Sequence, residues 1–346
     1  MRLLVTGVSG LIGSNVAAAA SQQSWSVLGT WRDTPVSLLG ARTAQLDVTD
    51  RHACVALAEE LEPDVVVHAG APSGDGRLER DSQLVEADRL GVENTLAAAR
   101  AVRARYSLVS CDLVFSGARP SGECWDEEDL AEPTTALGRS LLTREQLVEG
   151  FSGSWMITRP ADVYGVNLAI PGGAEMRAPL PHNPPLPVQV EERVPYVWGR
   201  SGQPLRWVTS LRSGRLLLAP AGVRRTPTYV WDYAQRLCEL IAQECDGLFN
   251  MAGPTILGRV AQMRLLARAF GCEMELVRDG PVAPLLPANT ALCDRKTTFV
   301  LGHSAVDPFS GYRLMRRQLE RLLGTADSPS ASPSPIAPPL VVQGLR

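Results

Sequence analysis

The sequence lacks the features that mark nucleic-acid-binding and membrane proteins. Its 346 residues carry a formal net charge of −3, so no excess of positive charge would attract nucleic acid. No apolar run reaches the length of a membrane span, and no charged and then apolar leader precedes the first predicted strand. We therefore expect a cytoplasmic protein that binds neither membranes nor nucleic acid.

Metal ligands and paired cysteines are also scarce. The seven cysteines include no Cys-x-x-Cys pair, and their odd number leaves one over, which predicts reduced thiols. The four histidines have no metal-ligand spacing with these cysteines, and they are His52, His68, His182 and His303. The sequence therefore predicts no metal site.

A glycine-rich segment near the start carries the strongest functional signal. The apolar run from Leu3 to Val5 predicts a buried parallel strand, and three glycines follow it before a helix-forming segment. Glycines in this context let backbone N–H groups approach a pyrophosphate at a helix N-terminus. A glycine-rich turn without a ligand is the alternative. The predicted dinucleotide-binding residues of this segment are Gly7, Ser9, Gly10, Leu11, Ile12 and Gly13.

The second predicted strand, over residues 25–32, bears on the choice of cofactor. An NAD site places Asp or Glu near the end of this strand, whereas an Arg there matches the 2′-phosphate of NADP. Thr30 and Arg32 stand at this place, and Asp33 is a contrary signal. The sequence thus favours NADP(H) over NAD(H), and a solvated Arg32 is the open alternative.

Two further segments are expected to border the cofactor. Asp47 and Val48 follow a short predicted strand, and the Asp47 carboxylate could accept a hydrogen bond from an adenine amino group. A later apolar strand ends in Ala69, Gly70 and Ala71, small residues that suit a backbone passing under a cofactor. These five residues complete the predicted cofactor site.

The order of predicted elements indicates the fold. Strands and helices alternate over residues 1–160, which predicts an α/β, doubly wound parallel sheet, that is, a Rossmann domain. Residues 161–324 predict a smaller α/β substrate lobe interleaved with it, including helices over 230–243 and 259–270. Within this lobe, the Pro- and Gly-rich residues 166–206 predict a lid or binding loop, with a disordered segment as the alternative. Residues 325–346 predict a disordered tail, because they lack the apolar side chains that offset ordering entropy.

Several segments together resemble the extended short-chain dehydrogenase/reductases, most closely the dTDP-4-dehydrorhamnose reductase-like, sugar-nucleotide-binding branch. The resemblance implies a nicotinamide cofactor, a small-molecule substrate such as a nucleotide sugar, and a homodimer or a regulatory partner. The segments that carry it are 7–13, 47–48, 69–71, 110–117, 159–165, 226–230, 249–253 and 287–292.

The same resemblance shows what this chain has lost. Members of the family use a Ser or Thr, a Tyr and a Lys for proton-coupled hydride transfer. On the family pattern, Leu137 falls at the tyrosine, Leu141 at the lysine and Cys111 at the hydroxyl residue, while Asp88 stands where Asn is usual. Leucine has no proton to exchange, so the ordinary triad cannot act here.

Three residues are candidate substitutes for the lost catalytic groups. Cys111 could be a nucleophile, Asp112 a base and Tyr164 an acid. The alternatives are a buried structural thiol, a capping carboxylate and a packed aromatic ring. Four arginines would suit a substrate diphosphate, with solvated surface residues as the alternative, and they are Arg212, Arg215, Arg224 and Arg225.

Two functions fit these observations. The first is an enzyme of sugar-nucleotide or specialised small-molecule metabolism that carries out an atypical reduction or a non-redox isomerisation, elimination or cyclisation. The second is a catalytically silent nucleotide-binding regulatory subunit that holds the cofactor without turnover. The intact glycine segment supports the first, and the lost triad supports the second.

Overall fold

The centre of the fold is a parallel sheet of seven strands. The computed structural model describes residues 1–70, 81–171, 203–283 and 286–322. Within these ranges the strands, numbered along the chain, are β1 (Arg2–Thr6), β2 (Ser26–Trp31), β3 (Val36–Ser37), β4 (Arg42–Gln45), β5 (Val65–His68), β6 (Arg105–Val109), β7 (Trp155–Arg159), β8 (Val163–Tyr164), β9 (Ile170–Pro171), β10 (Leu217–Ala221), β11 (Arg224–Arg225), β12 (Thr228–Tyr229), β13 (Gly247–Asn250), β14 (Leu257–Gly258) and β15 (Val277–Val282).

The strand order of the main sheet places a crevice at its middle. The order is β13-β7-β6-β5-β1-β2-β4, and every neighbouring pair is parallel. The chain runs outward from β1 through β2 to β4 and then crosses back to β5. Ligands bind in such sheets beyond the carboxyl ends of the strands at this switch point. The predicted α/β doubly wound fold is confirmed.

Helices cover both faces of the sheet. The helices are α1 (Leu11–Gln22), α2 (Arg51–Leu61), α3 (Ser82–Ala101), α4 (Ala136–Glu149), α5 (Gln203–Arg212), α6 (Val230–Ala242), α7 (Arg259–Phe270), α8 (Arg295–Leu301) and α9 (Pro308–Leu322). Leu3 and Val5 pack with α1 and α6 on one face, whereas Leu4 packs with α3 on the other. Side chains alternate along a strand, so one buried strand serves two cores.

The second half of the chain contributes to two structures. Strand β13 pairs with β7 and completes the sheet, and α6 packs on α1. Helices α5, α7 and α9 form a separate core around Tyr164, Tyr229 and Tyr312, and β10 and β15 contribute to another small core. Of the predicted lid, residues 172–202 lie outside the described residues, as do Ala71 and the predicted tail 325–346.

Among the helices that the structure describes, none combines the length and apolar character needed to cross a membrane.

A disulfide joins Cys124 to Cys293 across 169 positions of sequence. It lies beside the bridge between Trp125 and Leu292, where Trp125 N–H donates to Ala291 O at 2.8 Å. The prediction of reduced thiols is therefore wrong for these two residues, while the other five cysteines are free. Spacing could not reveal the bond, because only tertiary folding brings two residues so distant in sequence together.

Candidate nucleotide-binding site

The crevice at the switch point holds a cavity of about 420 Å³. Its walls come from the carboxyl ends of β1, β2 and β5, the segment after β4 and one side of α3. The volume falls within the usual range of small-molecule sites. The lining residues are Thr6, Gly7, Ser9 and Gly10; Thr30 to Thr34; Leu46, Val48 and Thr49; His68 and Gly70; and Leu84, Ala87, Asp88 and Gly91.

The glycine segment forms a tight turn between β1 and α1. Gly7 has a φ of +76°, and its N–H donates to Thr30 O at 3.0 Å. A Cβ on Gly7 would lie 2.7 Å from Gly70 Cα, and one on Gly13 would lie 2.5 Å from Gly7 O. Both positions therefore exclude side chains. Helix α1 begins just after Gly10, so its positive end faces the cavity, where an anion would be stabilised.

The cavity brings together six of the twelve predicted cofactor residues, which are Gly7, Ser9, Gly10, Arg32, Val48 and Gly70. Gly13 lies against the backbone of Gly7 instead. The Asp47 carboxylate accepts hydrogen bonds from the N–H and hydroxyl of Thr49 at 3.0 and 2.8 Å. Asp47 is not among the lining residues, and the same holds for Leu11, Ile12 and Ala69.

Arg32 and Asp33 both line the part of the cavity next to β2. The Arg32 Nε donates to Asp33 Oδ2 at 2.8 Å, and this hydrogen bond lowers the pKa of Asp33. Both side chains are more than half exposed. A 2′-phosphate would compete with Asp33 for the guanidinium, so a preference for NADP(H) remains a prediction.

His68, at the end of β5, was missed by the sequence reasoning. Its buried ring contacts Thr6 through a 2.8 Å hydrogen bond between Nδ1 and Thr6 Oγ1. Burial, and then the charge of Arg144, hold the pKa of His68 well below 6.5, so the ring is neutral near pH 7. The sequence signal for His68 was that it and Thr6 are polar residues at the carboxyl ends of two predicted strands, which are adjacent at the switch point.

Replacing His68 with asparagine should reduce the acid sensitivity of the fold. Below about pH 6.5 the unfolded chain binds a proton that folded His68 does not, so the free energy of unfolding falls as pH falls, by about 1.4 kcal/mol per unit. Urea unfolding of wild type and His68→Asn between about pH 5 and 7 measures this difference in slope. His52→Asn removes an exposed histidine and is the control. Equal slopes in wild type and His68→Asn would contradict the prediction.

A buried ion pair borders the same cavity. Arg144 on α4 is fully buried, and its Nη2 donates to Gly70 O at 3.0 Å and to Val109 O at 3.4 Å. Its Nη1 lies 3.5 Å from Asp88 Oδ1, while Ser140 Oγ donates to Asp88 Oδ2 at 2.6 Å. Asp88 was noted in the sequence only as a departure from the family pattern.

The residues predicted to stand at the family's catalytic positions lie in apolar surroundings. Leu137, Leu141 and Cys111 belong to one hydrophobic cluster with Phe115 and Leu292. The Cys111 sulfur accepts a hydrogen bond from Leu113 N–H at 3.4 Å, and burial raises the pKa of its thiol. These contacts fit the alternative reading of Cys111 as a buried structural thiol. A nucleophilic role for Cys111 stays a prediction.

Asp112 and Tyr164 both make internal contacts. Asp112 accepts a hydrogen bond from Thr290 and pairs with Arg225 at 3.4 Å, and its burial raises the pKa of the carboxyl. Neither Asp112 nor Tyr164 lines the nucleotide cavity. Arg225, predicted for a diphosphate, also donates to the backbone oxygens of Pro287 and Ala288.

Tyr164 lies in a different hydrophobic cluster from Cys111. Its hydroxyl donates to Pro308 O at 3.2 Å, and its ring centroid is 4.2 Å from that of Tyr312. Burial raises the pKa of Tyr164 well above its usual value. The structure therefore shows the contacts of a packed aromatic ring, and an acid role stays a prediction.

In the part of the chain that the structure describes, no three His, Cys, Asp or Glu side chains are grouped as metal ligands.

Comparison with known proteins identifies relatives for the first half of the chain. Residues 1–169 match the family described as RmlD substrate binding domain. Methionine adenosyltransferase 2 subunit beta from Xenopus laevis is 28% identical over 165 residues, which are 47% of each chain. A 3-diazoavenalumate denitrifying reductase from Streptomyces sp is 30% identical over 201 residues, 54% of this chain and 64% of that protein. The chain spans about half the length of the first of these relatives.

A solved structure extends the likeness of fold to the second half. The dTDP-4-dehydrorhamnose reductase of Bacillus anthracis, in complex with NADP, has a TM-score of 0.68 with this chain at 17% identity. The match covers 92% of this chain and 99% of that one. The predicted resemblance is thus confirmed: residues 1–169 match the RmlD substrate binding domain, and the chain shares its fold with a dTDP-4-dehydrorhamnose reductase.

Proposed function

We propose that this protein binds a nicotinamide dinucleotide, NADP(H) in preference to NAD(H), and reduces small molecules that accept hydride without needing a proton. The observation that carries the proposal is a glycine-lined cavity in a protein whose predicted catalytic positions are apolar. Gly7 and Gly13 give the backbone its close turn, and Gly10 lines the cavity where α1 begins. These residues fit a diphosphate.

The apolar cluster limits the chemistry. A bound nicotinamide would supply hydride, but Leu137 and Leu141 can neither donate a proton to a carbonyl oxygen nor orient an acid. Losing a general acid lowers a rate by about 10²- to 10⁴-fold. Ketone reduction, isomerisation and elimination all need such proton transfer. Hydride transfer to a cationic acceptor needs no proton transfer.

An aryl diazonium is one such acceptor. Hydride forms a C–H bond at the ring carbon, the C–N bond breaks, and its electron pair leaves with N₂, so no proton is consumed. The related Streptomyces protein is named a denitrifying reductase of a diazo compound, which supports this class for the present chain. We therefore favour atypical reduction among the chemistries predicted above.

The test combines a binding titration with a panel of acceptors. NADPH and NADH are titrated by fluorescence and melting temperature, and then an aryl diazonium, a cyclic iminium and a ketone are offered with deuterated NADPH. We expect deuterium transfer to the cationic acceptors and none to the ketone. Gly13→Ala is the control for cofactor dependence. Ketone reduction at a similar rate, or absence of dinucleotide binding, would overturn the proposal.

A regulatory subunit is the second candidate function. The apolar catalytic position supports it, as does the relative named subunit beta of methionine adenosyltransferase 2. In this role the protein would hold a dinucleotide without consuming it and would associate with a partner enzyme. Binding without turnover across the acceptor panel, together with a partner that co-purifies in fixed ratio, would favour this function. A homodimer with turnover would favour the first.

A further inference from the structure

The ion pair of Asp88 and Arg144 is placed at the wall of the nucleotide cavity. Asp88 lines the cavity from α3. Arg144, on α4 behind the lining, pairs with Asp88 and donates to the O atom of Gly70, another lining residue. The two side chains are 3% and 1% exposed. A charged pair so deeply buried is costly unless its hydrogen bonds are complete.

The hydrogen bonds of this pair are not complete among the residues that the structure describes. Within these residues, Arg144 Nε and Nη1 have no hydrogen-bond partner. Asp88 Oδ2 accepts from Ser140, whereas Oδ1 has only the 3.5 Å contact with Nη1 among the described residues. Buried polar atoms are nearly always bonded, so an unsatisfied pair at a cavity wall points to a ligand atom.

The charges select the kind of ligand group. A carboxylate is acceptor-only and repels phosphate, so Asp88 suits a hydroxyl donor. Arg144 offsets the negative charge of Asp88, which allows an anionic nucleotide to lie nearby. Ser140 and Arg144 are four residues apart on α4 and lie on one face of the helix, so one rigid surface holds Asp88.

We propose that Asp88 Oδ1 accepts a hydrogen bond from a ribose hydroxyl of the bound nucleotide, with Arg144 and Ser140 as positioning residues. This inference rests on the proposed nucleotide binding. It assigns to α4 a role in holding ribose, although Leu141 occupies the position of the family's lysine.

The test compares ligands that differ by one ribose hydroxyl or by the second ribose. ADP, 2′-deoxy-ADP and 3′-deoxy-ADP report on the adenosine ribose, and ADP-ribose against ADP reports on the second ribose. A hydrogen bond to a charged group is worth about 1.5–3 kcal/mol, so wild type should prefer the hydroxyl-bearing ligand of one comparison by about 10- to 150-fold. In the variant Asp88→Leu/Arg144→Met the ratio should fall to about one.

The control removes a buried ion pair elsewhere. Arg236 and Asp294 form a buried pair between α6 and the residue before α8, and Arg236→Met/Asp294→Asn should leave the ratio as in wild type. If the first double variant does not fold, Ser140→Ala carries the test, with an expected fall of about threefold. A ratio unchanged in whichever of these variants folds would overturn the inference alone. If wild type bound no nucleotide, the proposed function would fail and the inference with it.

Discussion

Replacing Gly13 with alanine is expected to weaken nucleotide binding by about 100-fold. The new Cβ would lie 2.5 Å from Gly7 O, 2.8 Å from Gly7 C and 3.1 Å from Val8 Cα. All three are backbone atoms of the turn, so relief requires α1 to move away from β1. That movement displaces the N–H groups that face the diphosphate. Calorimetric titration with NADPH, alongside the melting temperature, measures the loss.

Alanine substitutions at two other glycines distinguish the backbone clash at Gly13 from the addition of a methyl group alone. At Gly122 a Cβ would meet nothing within 4 Å, so Gly122→Ala should bind nucleotide as wild type does. At Gly10 the nearest atom would be Gly7 O at 3.2 Å, so a smaller loss is expected. Wild-type affinity in Gly13→Ala would show that the turn tolerates a side chain and would contradict the prediction.

Replacing Glu145 with alanine should lower the free energy of unfolding by about 3–5 kcal/mol. Glu145 on α4 receives hydrogen bonds from Arg159 Nε at 2.9 Å and from Nη2 at 2.5 Å. Both side chains are almost fully buried, so the substitution leaves the Arg159 cation without a counter-charge in the interior. The pair joins α4 to the end of β7. Urea unfolding at neutral pH measures the change.

The matched control is Glu149→Ala on the same helix, where the side chain is exposed. A surface substitution of this kind usually changes stability by no more than about 0.5 kcal/mol. The double variant Glu145→Leu/Arg159→Met should recover much of the loss, because it removes both charges. Equal losses in Glu145→Ala and Glu149→Ala would show that the pair contributes little.

Local patterns predicted the parts of the fold that local physics determines. The apolar run before Gly7 predicted β1, and the predicted helix over 259–270 matches α7. The glycine spacing predicted three of the four lining residues between Thr6 and Gly10, because the turn that needs the glycines is itself local. That Leu137 and Leu141 replace the family's tyrosine and lysine is a prediction from the sequence pattern alone.

Contacts between distant residues could not be predicted in this way. Asp88 and Arg144 meet only because α3 and α4 pack side by side, and no spacing rule joins them. The disulfide between Cys124 and Cys293 is a similar case. The identity of His68 was visible, but its neutral state follows from burial. Each depends on tertiary packing, which a single sequence does not encode as a short pattern.

Strand β13 determines whether residues 1–169, which match the family, can be studied as a separate fragment. Residues 247–250 pair along β7 from Met156 to Arg159, yet they come long after position 169. A fragment cut there would leave the outer edge of β7 with open N–H and C=O groups and would uncover the apolar surface that α6 protects. Such edges recruit other chains. A truncated protein would self-associate before any ligand could be assayed on it.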